Sequence, residues 1–263
     1  MRHSLYVFLL LSLVACSSSI DDKKNYSAEE LYSMAMDSME DHNYEKAVKA
    51  FEKLQSRYPY GRYAQQAQME IAYAYYKQGE PAPALGAIDR FIKQYPNSSS
   101  LDYMYYLKGL INFDENLASV MNAIGDQDPA ERDPKSLRES FDTFKELVTR
   151  FPDSRYAPDA RLRMQYLLDN LAGSDLHIAS YYLRRGAYVA ALNRAKEILV
   201  NYPTTPQTRD ALQIMIQAYD ALGMTDLRDD TQRILNQNLA SNEAAPAAKE
   251  SPQQPHAWWK FWD

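Results

Sequence analysis

A single cysteine, four histidines and eight glycines among 263 residues leave little material for most kinds of site chemistry. With Cys16 as the one thiol, no internal disulfide can form and no cysteine-based zinc site can be assembled. His42, His177 and His256, the histidines beyond the first few residues, fall in no His-Glu-x-x-His run. The glycines are scattered, so neither a phosphate-cradling loop nor a G-x-S-x-G nucleophile elbow is present. Positive charge is not in excess either. Twenty-nine Lys and Arg against 35 Asp and Glu give a net charge of -6 and a pI near 5.3, which excludes the broad basic footprint of a nucleic-acid binder. Catalytic residues, a metal site, cofactors and a nucleic-acid partner are therefore not expected.

No apolar run reaches the ~20 residues of a membrane-spanning helix. The nearest approach, Leu5 to Leu13, is interrupted by Ser12 and comes after Arg2 and His3, the layout of an export signal. It ends in Leu13-Val14-Ala15-Cys16, which resembles the bacterial lipobox, with small residues ahead of the cysteine that is acylated. The expectation is a signal peptide over 1–15, a lipid attachment site at Cys16 and a tether over 16–26. An ordinary cleaved signal that leaves a free thiol is the alternative. Each buried CH₂ adds ~0.8 kcal/mol and stable anchoring takes more than one chain, a requirement that a triacylated cysteine meets. Ser17 rather than Asp after the cysteine favours the outer membrane by enteric-type sorting. Ser17 to Tyr26 can span at most about 35 Å, which keeps the rest of the chain near the bilayer.

What the chain does have is a repeat. Aromatic-Pro pairs recur at Tyr58-Pro59, Tyr95-Pro96, Phe151-Pro152 and Tyr202-Pro203, each closing a helical pattern such as Ala47-Val48-x-x-Phe51-x-x-Leu54. Counting back in steps of twelve from three of the prolines reaches Ala47 and Ala35, Ala84 and Ala72, and Ala191 and Ala179. A tight helical hairpin needs a small residue on each helix where the axes approach, and proline then ends the second helix. Tyr75 and Gly79, and Tyr182 and Gly186, recur in register, the glycines suiting the turn between helices. Ser140 holds the small position twelve before Pro152.

This is a tetratricopeptide (TPR) pattern without its usual leading Trp, and it predicts an all-α, TPR-like solenoid of five helix pairs over 27–239. The prolines fall 37, 56 and 51 residues apart, so repeat three is expected to carry an insertion over 119–135. A long helix is expected next, from near Ser154 to Arg185, with Gly173 a potential break. Asp126, Asp128, Glu131 and Asp133 in the insertion lack the ligand order and central glycine of an EF-hand. Tyrosine runs (Tyr73, Tyr75, Tyr76; Tyr103, Tyr105, Tyr106; Tyr181, Tyr182) read mainly as repeat core, with some rings facing a groove. Between Lys145 and Lys196 nine bases face five acids, a stretch that could meet an acidic partner or simply be a solvated face. The Pro/Ala-rich residues 240–263 are expected to be a disordered tail. They end in Trp258-Trp259-Lys260-Phe261-Trp262, where all three tryptophans lie, a candidate for a second membrane or partner contact.

From Cys16 to about Leu239 the chain resembles the BamD family, TPR lipoproteins of the machinery that assembles outer-membrane β-barrels. The matching segments are Arg57-Tyr58-Pro59-Tyr60-Gly61, Ala72-Tyr73-Ala74-Tyr75-Tyr76-Lys77, Ala87-Ile88-Asp89-Arg90-Phe91-Ile92, Arg132-Asp133-Pro134, Tyr181-Tyr182, Arg185 to Ala190, Asn193-Arg194 and Thr208 to Leu212. The aromatic tail is outside the pattern. The resemblance implies a non-enzymatic, lipid-anchored protein on the periplasmic face of the outer membrane. Its implied partners are a POTRA domain of BamA, other lipoproteins of the complex, and unfolded outer-membrane proteins. Arg194 matches an arginine that takes part in docking BamA, with Arg185 in support. Substrate tails would meet a groove that could include Tyr60, Tyr63 and Tyr76. The alternative reading keeps the fold and changes the partner, to a TPR lipoprotein regulating peptidoglycan synthesis or envelope constriction.

Overall fold

The computed structural model describes residues 25–122 and 135–244. Cys16 and the signal segment, the acids Asp126 to Asp133, and the aromatic end at Trp258 to Trp262 lie outside the described residues. Among the described residues there are ten α-helices and no strand: α1 (Ala28–Glu40), α2 (Tyr44–Arg57), α3 (Arg62–Lys77), α4 (Pro81–Gln94), α5 (Leu101–Asn122), α6 (Lys135–Arg150), α7 (Ala157–Arg184), α8 (Tyr188–Asn201), α9 (Gln207–Ala221) and α10 (Thr225–Ala244). The fold is all-α and TPR-like. It divides into two compact units, 1–104 and 105–263, the cut falling near the start of α5. In unit 1, α1 to α4 pack each on the next and α1 also meets α3; in unit 2, α6 to α10 do the same and α7 also meets α9.

The twelve-residue register is the core. Ala35, Ala47, Ala72, Ala84, Ala179, Ala191 and Ser140 are all fully buried, where facing helices come closest. Helix starts are fixed locally: Ser27 and Glu30 form a reciprocal capping box on α1, and Asn43 accepts from the Lys46 N–H to cap α2. Helix ends are fixed by the aromatic-Pro pairs. The backbone N–H of Tyr58, Tyr95, Phe151 and Tyr202 each closes the last helical turn, and the next residue, proline, carries no N–H to continue it.

Hairpin turns need a residue with positive φ, and Gly79, Gly186 and Gly223 supply it at 71° to 74°. The same position of the first repeat, seven residues after Ala35, is His42, held at φ 57°. An L-residue there carries a steric cost of ~1–2 kcal/mol that glycine avoids, partly offset by glycine's larger entropy loss on folding. His42→Gly is accordingly expected to raise stability by roughly 0.5–1 kcal/mol, read as a higher urea midpoint at unchanged slope.

Three boundaries differ from the sequence expectation. Helix α7 runs through Gly173 without a break, because one glycine costs only ~1 kcal/mol against alanine, less than packing on α8 and α9 supplies. Helix α5 continues to Asn122, past the expected end at Ala118, since no breaker precedes Gly125. Helix α10 continues to Ala244 rather than ending at Leu239. Glu243 and Ala244 are good helix formers, and Pro246 is the first residue that bars continuation.

Candidate docking and substrate-binding surfaces

Two groups of side chains stand out, one in each unit. In unit 1 the face shared by α1 and α3 is rich in tyrosine. The Tyr32 ring of α1 lies 5.7 Å from buried Phe51 and 5.4 Å from Tyr63 of α3. Further along α3, Tyr73 and Tyr76 meet at 6.3 Å. Arg62 lays its guanidinium over the Tyr63 ring at 4.8 Å and donates to its hydroxyl at 3.1 Å, and Lys77 lies over Tyr73 at 6.0 Å. Tyr60 sits in the loop before α3 and is 90% exposed, while Tyr63 and Tyr76 are half-buried on the helix. At about 100° per residue, Tyr63 and Tyr76 fall on different sides of α3. The residue that shares Tyr63's side, two turns on, is Glu70, half-buried and raised above the ordinary carboxylate range by burial. Tyr32 and Glu70 were missed in the sequence; Glu70 is an acid wedged between Met69 and Ile71, the one local sign that it is not simply solvated.

In unit 2, Arg194 stands on α8 and Arg185 caps the end of α7, exposed. Arg194 is not a bare cation. Its Nη1 lies 2.9 Å from Glu197 and 3.6 Å from Asp175 of α7, whose side chain is only 8% exposed. Burial raises the Asp175 carboxyl, against the opposing pull of Arg194, Arg138 and a hydrogen bond with Tyr202. Tyr202 is the aromatic of the fourth aromatic-Pro pair, so the residue that ends α8 also holds the acid that holds Arg194. Asp175 gave no signal in the sequence. Two other bases of the stretch are paired: Arg150 with Glu146 at 2.9 Å on the surface, and buried Arg163 with Asp159 at 2.6 Å. Tyr106 donates to the same Asp159 at 2.7 Å and stacks on Tyr156 at 4.7 Å. Burial first, then that carboxylate, raises the Tyr106 phenol. Of the nine bases between Lys145 and Lys196 only Arg163 is buried, and Lys145, Arg150, Arg155, Arg161, Arg184, Arg185 and Lys196 stand on the surface.

The two units thus present chemically distinct faces, one rich in tyrosine and one with paired arginines. A family described as outer membrane lipoproteins matches residues 24–234. The chain belongs to this family. Relatives include the outer membrane protein assembly factor BamD of Neisseria meningitidis serogroup A / serotype 4A, 42% identical over 98% of this chain and 98% of its own. That of Vibrio cholerae serotype O1 is 38% identical over 88% of this chain and 95% of its own. That of Haemophilus influenzae is 34% identical over 92% and 91%. A solved structure of MamA (AMB-1) is similar at 13% identity and a TM-score of 0.38, over 84% of this chain and 94% of that one. Membership of the lipoprotein family associates the chain with the outer membrane, and no helix among the described residues is long and apolar enough to cross a bilayer.

Proposed function

We propose that the chain is a non-catalytic assembly factor for outer-membrane β-barrel proteins. Residues 1–15 are removed, Cys16 carries the lipid, 16–26 are the tether, and the repeats face the periplasm. Unit 2 docks a POTRA domain of BamA through Arg194, with Arg185 at the α7 end in support. The tyrosine-rich surface of unit 1 receives extended segments of unfolded outer-membrane proteins, with Tyr60, Tyr63 and Tyr76 among the contacts, on more than one side of α3. The observation that carries the reading is the family match together with relatives named as assembly factors that align along nearly their whole lengths. Aromatic faces next to hydrogen-bonding hydroxyls suit an extended, aromatic-rich ligand.

Tagged full-length protein purified in mild detergent from its own membranes is expected to bring down BamA and other lipoproteins of the complex. Arg194→Glu should cut BamA recovery at least tenfold, since losing one partner of a desolvated pair costs ~2–5 kcal/mol. Undiminished recovery would remove Arg194 from the interface. Cys16→Ser should abolish incorporation of labelled palmitate and release the protein from membranes. Photoreactive residues placed at Tyr60, Tyr63 and Tyr76 should crosslink to unfolded barrel substrates, and a total lack of adducts would count against those contacts.

A further inference from the structure

We infer that an apolar strip along α10 is a docking site for the chain's own aromatic end, Trp258-Trp259-Lys260-Phe261-Trp262, which folds back to cover the last repeat. The inference goes beyond the proposed function and holds whichever partners the other repeats bind.

Leu222 and Met224 at the turn into α10, and Leu227 and Ile234 on the helix itself, keep between 37% and 49% of their exposure. Leu227, Asp230 and Ile234 follow one another at spacings of three and four residues, so they stand on one side of the helix. Buried Thr231 and Leu235 mark the side packed on α9. A further side carries Asp229, Gln232, Arg233, Asn236 and Gln237, the polar surface with which a repeat array ends in water. One flank of α10 is thus finished for solvent and the other is not. The second helix of the preceding repeat, α8, is packed by both α7 and α9, whereas α10 comes last and packs on α9. Large apolar side chains grouped on a surface in this way mark a contact site.

Connection, size and charge choose the occupant. Residues 245–257 join the aromatic end directly to α10 and span at most about 45 Å. The helix has 20 residues and is about 30 Å long, so the end reaches every point of the strip. A short tether holds its two ends at an effective concentration of order millimolar, so that even weak docking is populated. Four large rings within five residues supply ample apolar area to cover the strip, each ring burying about 150–250 Å². Acids border the strip: Asp226 lies in the first turn of α10 with no hydrogen bond or ion pair among the described residues, and Asp230, paired with Arg233, lies between Leu227 and Ile234. Lys260 brings a positive charge from among the rings to these acids. The same acids disfavour an anionic bilayer surface as the strip's cover.

All three tryptophans of the chain lie in this end, so tryptophan emission reports on it alone. The full chain carrying Cys16→Ser, purified without detergent, is expected to emit to the blue of the free peptide 240–263 and to resist quenching by iodide. Leu227→Ala together with Ile234→Ala removes both anchors on the helix and keeps its propensity. That pair should lower the ratio of covered to uncovered end about tenfold, moving emission and quenching toward those of the peptide. Gln232→Ala with Asn236→Ala, on the polar side, should leave both unchanged, and far-UV circular dichroism checks that each pair keeps its helices. A photoreactive residue at Ile234 gives a second reading, with an adduct to residues 258–262 of the same chain expected. Emission that matches the free peptide before any change to the strip overturns the inference, as does shielding that survives the Leu227 and Ile234 pair. Shielding that appears only on adding vesicles of phosphatidylethanolamine and phosphatidylglycerol overturns it in favour of the membrane, and adducts between two chains overturn it in favour of a second copy.

Discussion

Gly109→Ala is expected to lower the stability of unit 2 by about 3 kcal/mol, seen as a fall of roughly 6–12 °C in the thermal midpoint. A Cβ built on Gly109 would lie 2.4, 2.6 and 2.8 Å from three ring atoms of Phe144, well inside contact distance. The ring has nowhere to retreat, because Phe144 is fully buried and sits between α5 and α6 with Tyr106 on one side, ring centroids 6.1 Å apart. Nor can the backbone easily withdraw, since the buried Ser140 hydroxyl donates to the Gly109 carbonyl at 3.0 Å. Gly173→Ala is the control, being the same change in the middle of a helix. There the nearest atom is the Gln207 Nε2 at 4.0 Å, and the better helix propensity of alanine should add roughly 0.5–1 kcal/mol. Adding Phe144→Leu to Gly109→Ala should recover part of the loss, so that the two changes together cost less than their sum. A Gly109→Ala protein that melts within a degree of wild type would mean that α5 and α6 are not this close.

Those two glycines also mark the limit of what sequence spacing could reveal. Steps of twelve from Pro59, Pro96 and Pro203 landed on six fully buried alanines, because a helix hairpin of constant geometry needs its small residues at a constant separation. In repeat three the same rule found Ser140 and stopped. Its partner on the first helix is Gly109, 31 residues away instead of twelve, since the residues between α5 and α6 lengthen the chain without moving the point of closest approach. Gly173 failed in the opposite sense. A glycine in a polar-apolar helical pattern reads as a breaker until the packing that overrides its propensity is known. The family resemblance singled out Arg194 and three tyrosines, but a helix shows its neighbours only once folded: Asp175 beside Arg194 and Tyr32 across from Tyr63 come from other helices. His42 at the first hairpin turn was hidden for a related reason. Its positive φ is set by the repeat, and its residue type departs from the glycine that would have announced it.

The second large effect concerns Arg194 and separates docking from folding. Arg194→Met should cost about 1–2 kcal/mol, less than the ~3–5 of a fully buried pair, because the Arg194 side chain keeps 40% of its exposure and solvent screens it. The loss originates at Asp175, which would keep its burial and lose the stronger of its two opposing cations, with Arg138 left. Burial already raises this carboxyl above its unfolded value, and removing Arg194 raises it further. A carboxyl raised on folding binds protons more readily in the folded chain, so its penalty is complete above the folded pKa and vanishes below the unfolded one. The deficit of Arg194→Met should therefore be largest near pH 8 and shrink as the pH falls toward about 4.5, close to the ordinary carboxylate range. Urea midpoints of wild type and variant measured at both ends of that window give the answer, and a deficit that grows on acidification would contradict it. Adding Asp175→Asn removes the stranded charge and should restore most of the stability at neutral pH. It should not restore recovery of BamA, because the proposed interface needs the guanidinium and not merely a folded α7–α8 hairpin. If the double variant regained both, Arg194 would be a structural residue that neutralises Asp175, and the docking surface would have to be sought on the exposed side of unit 2, beginning with Arg185.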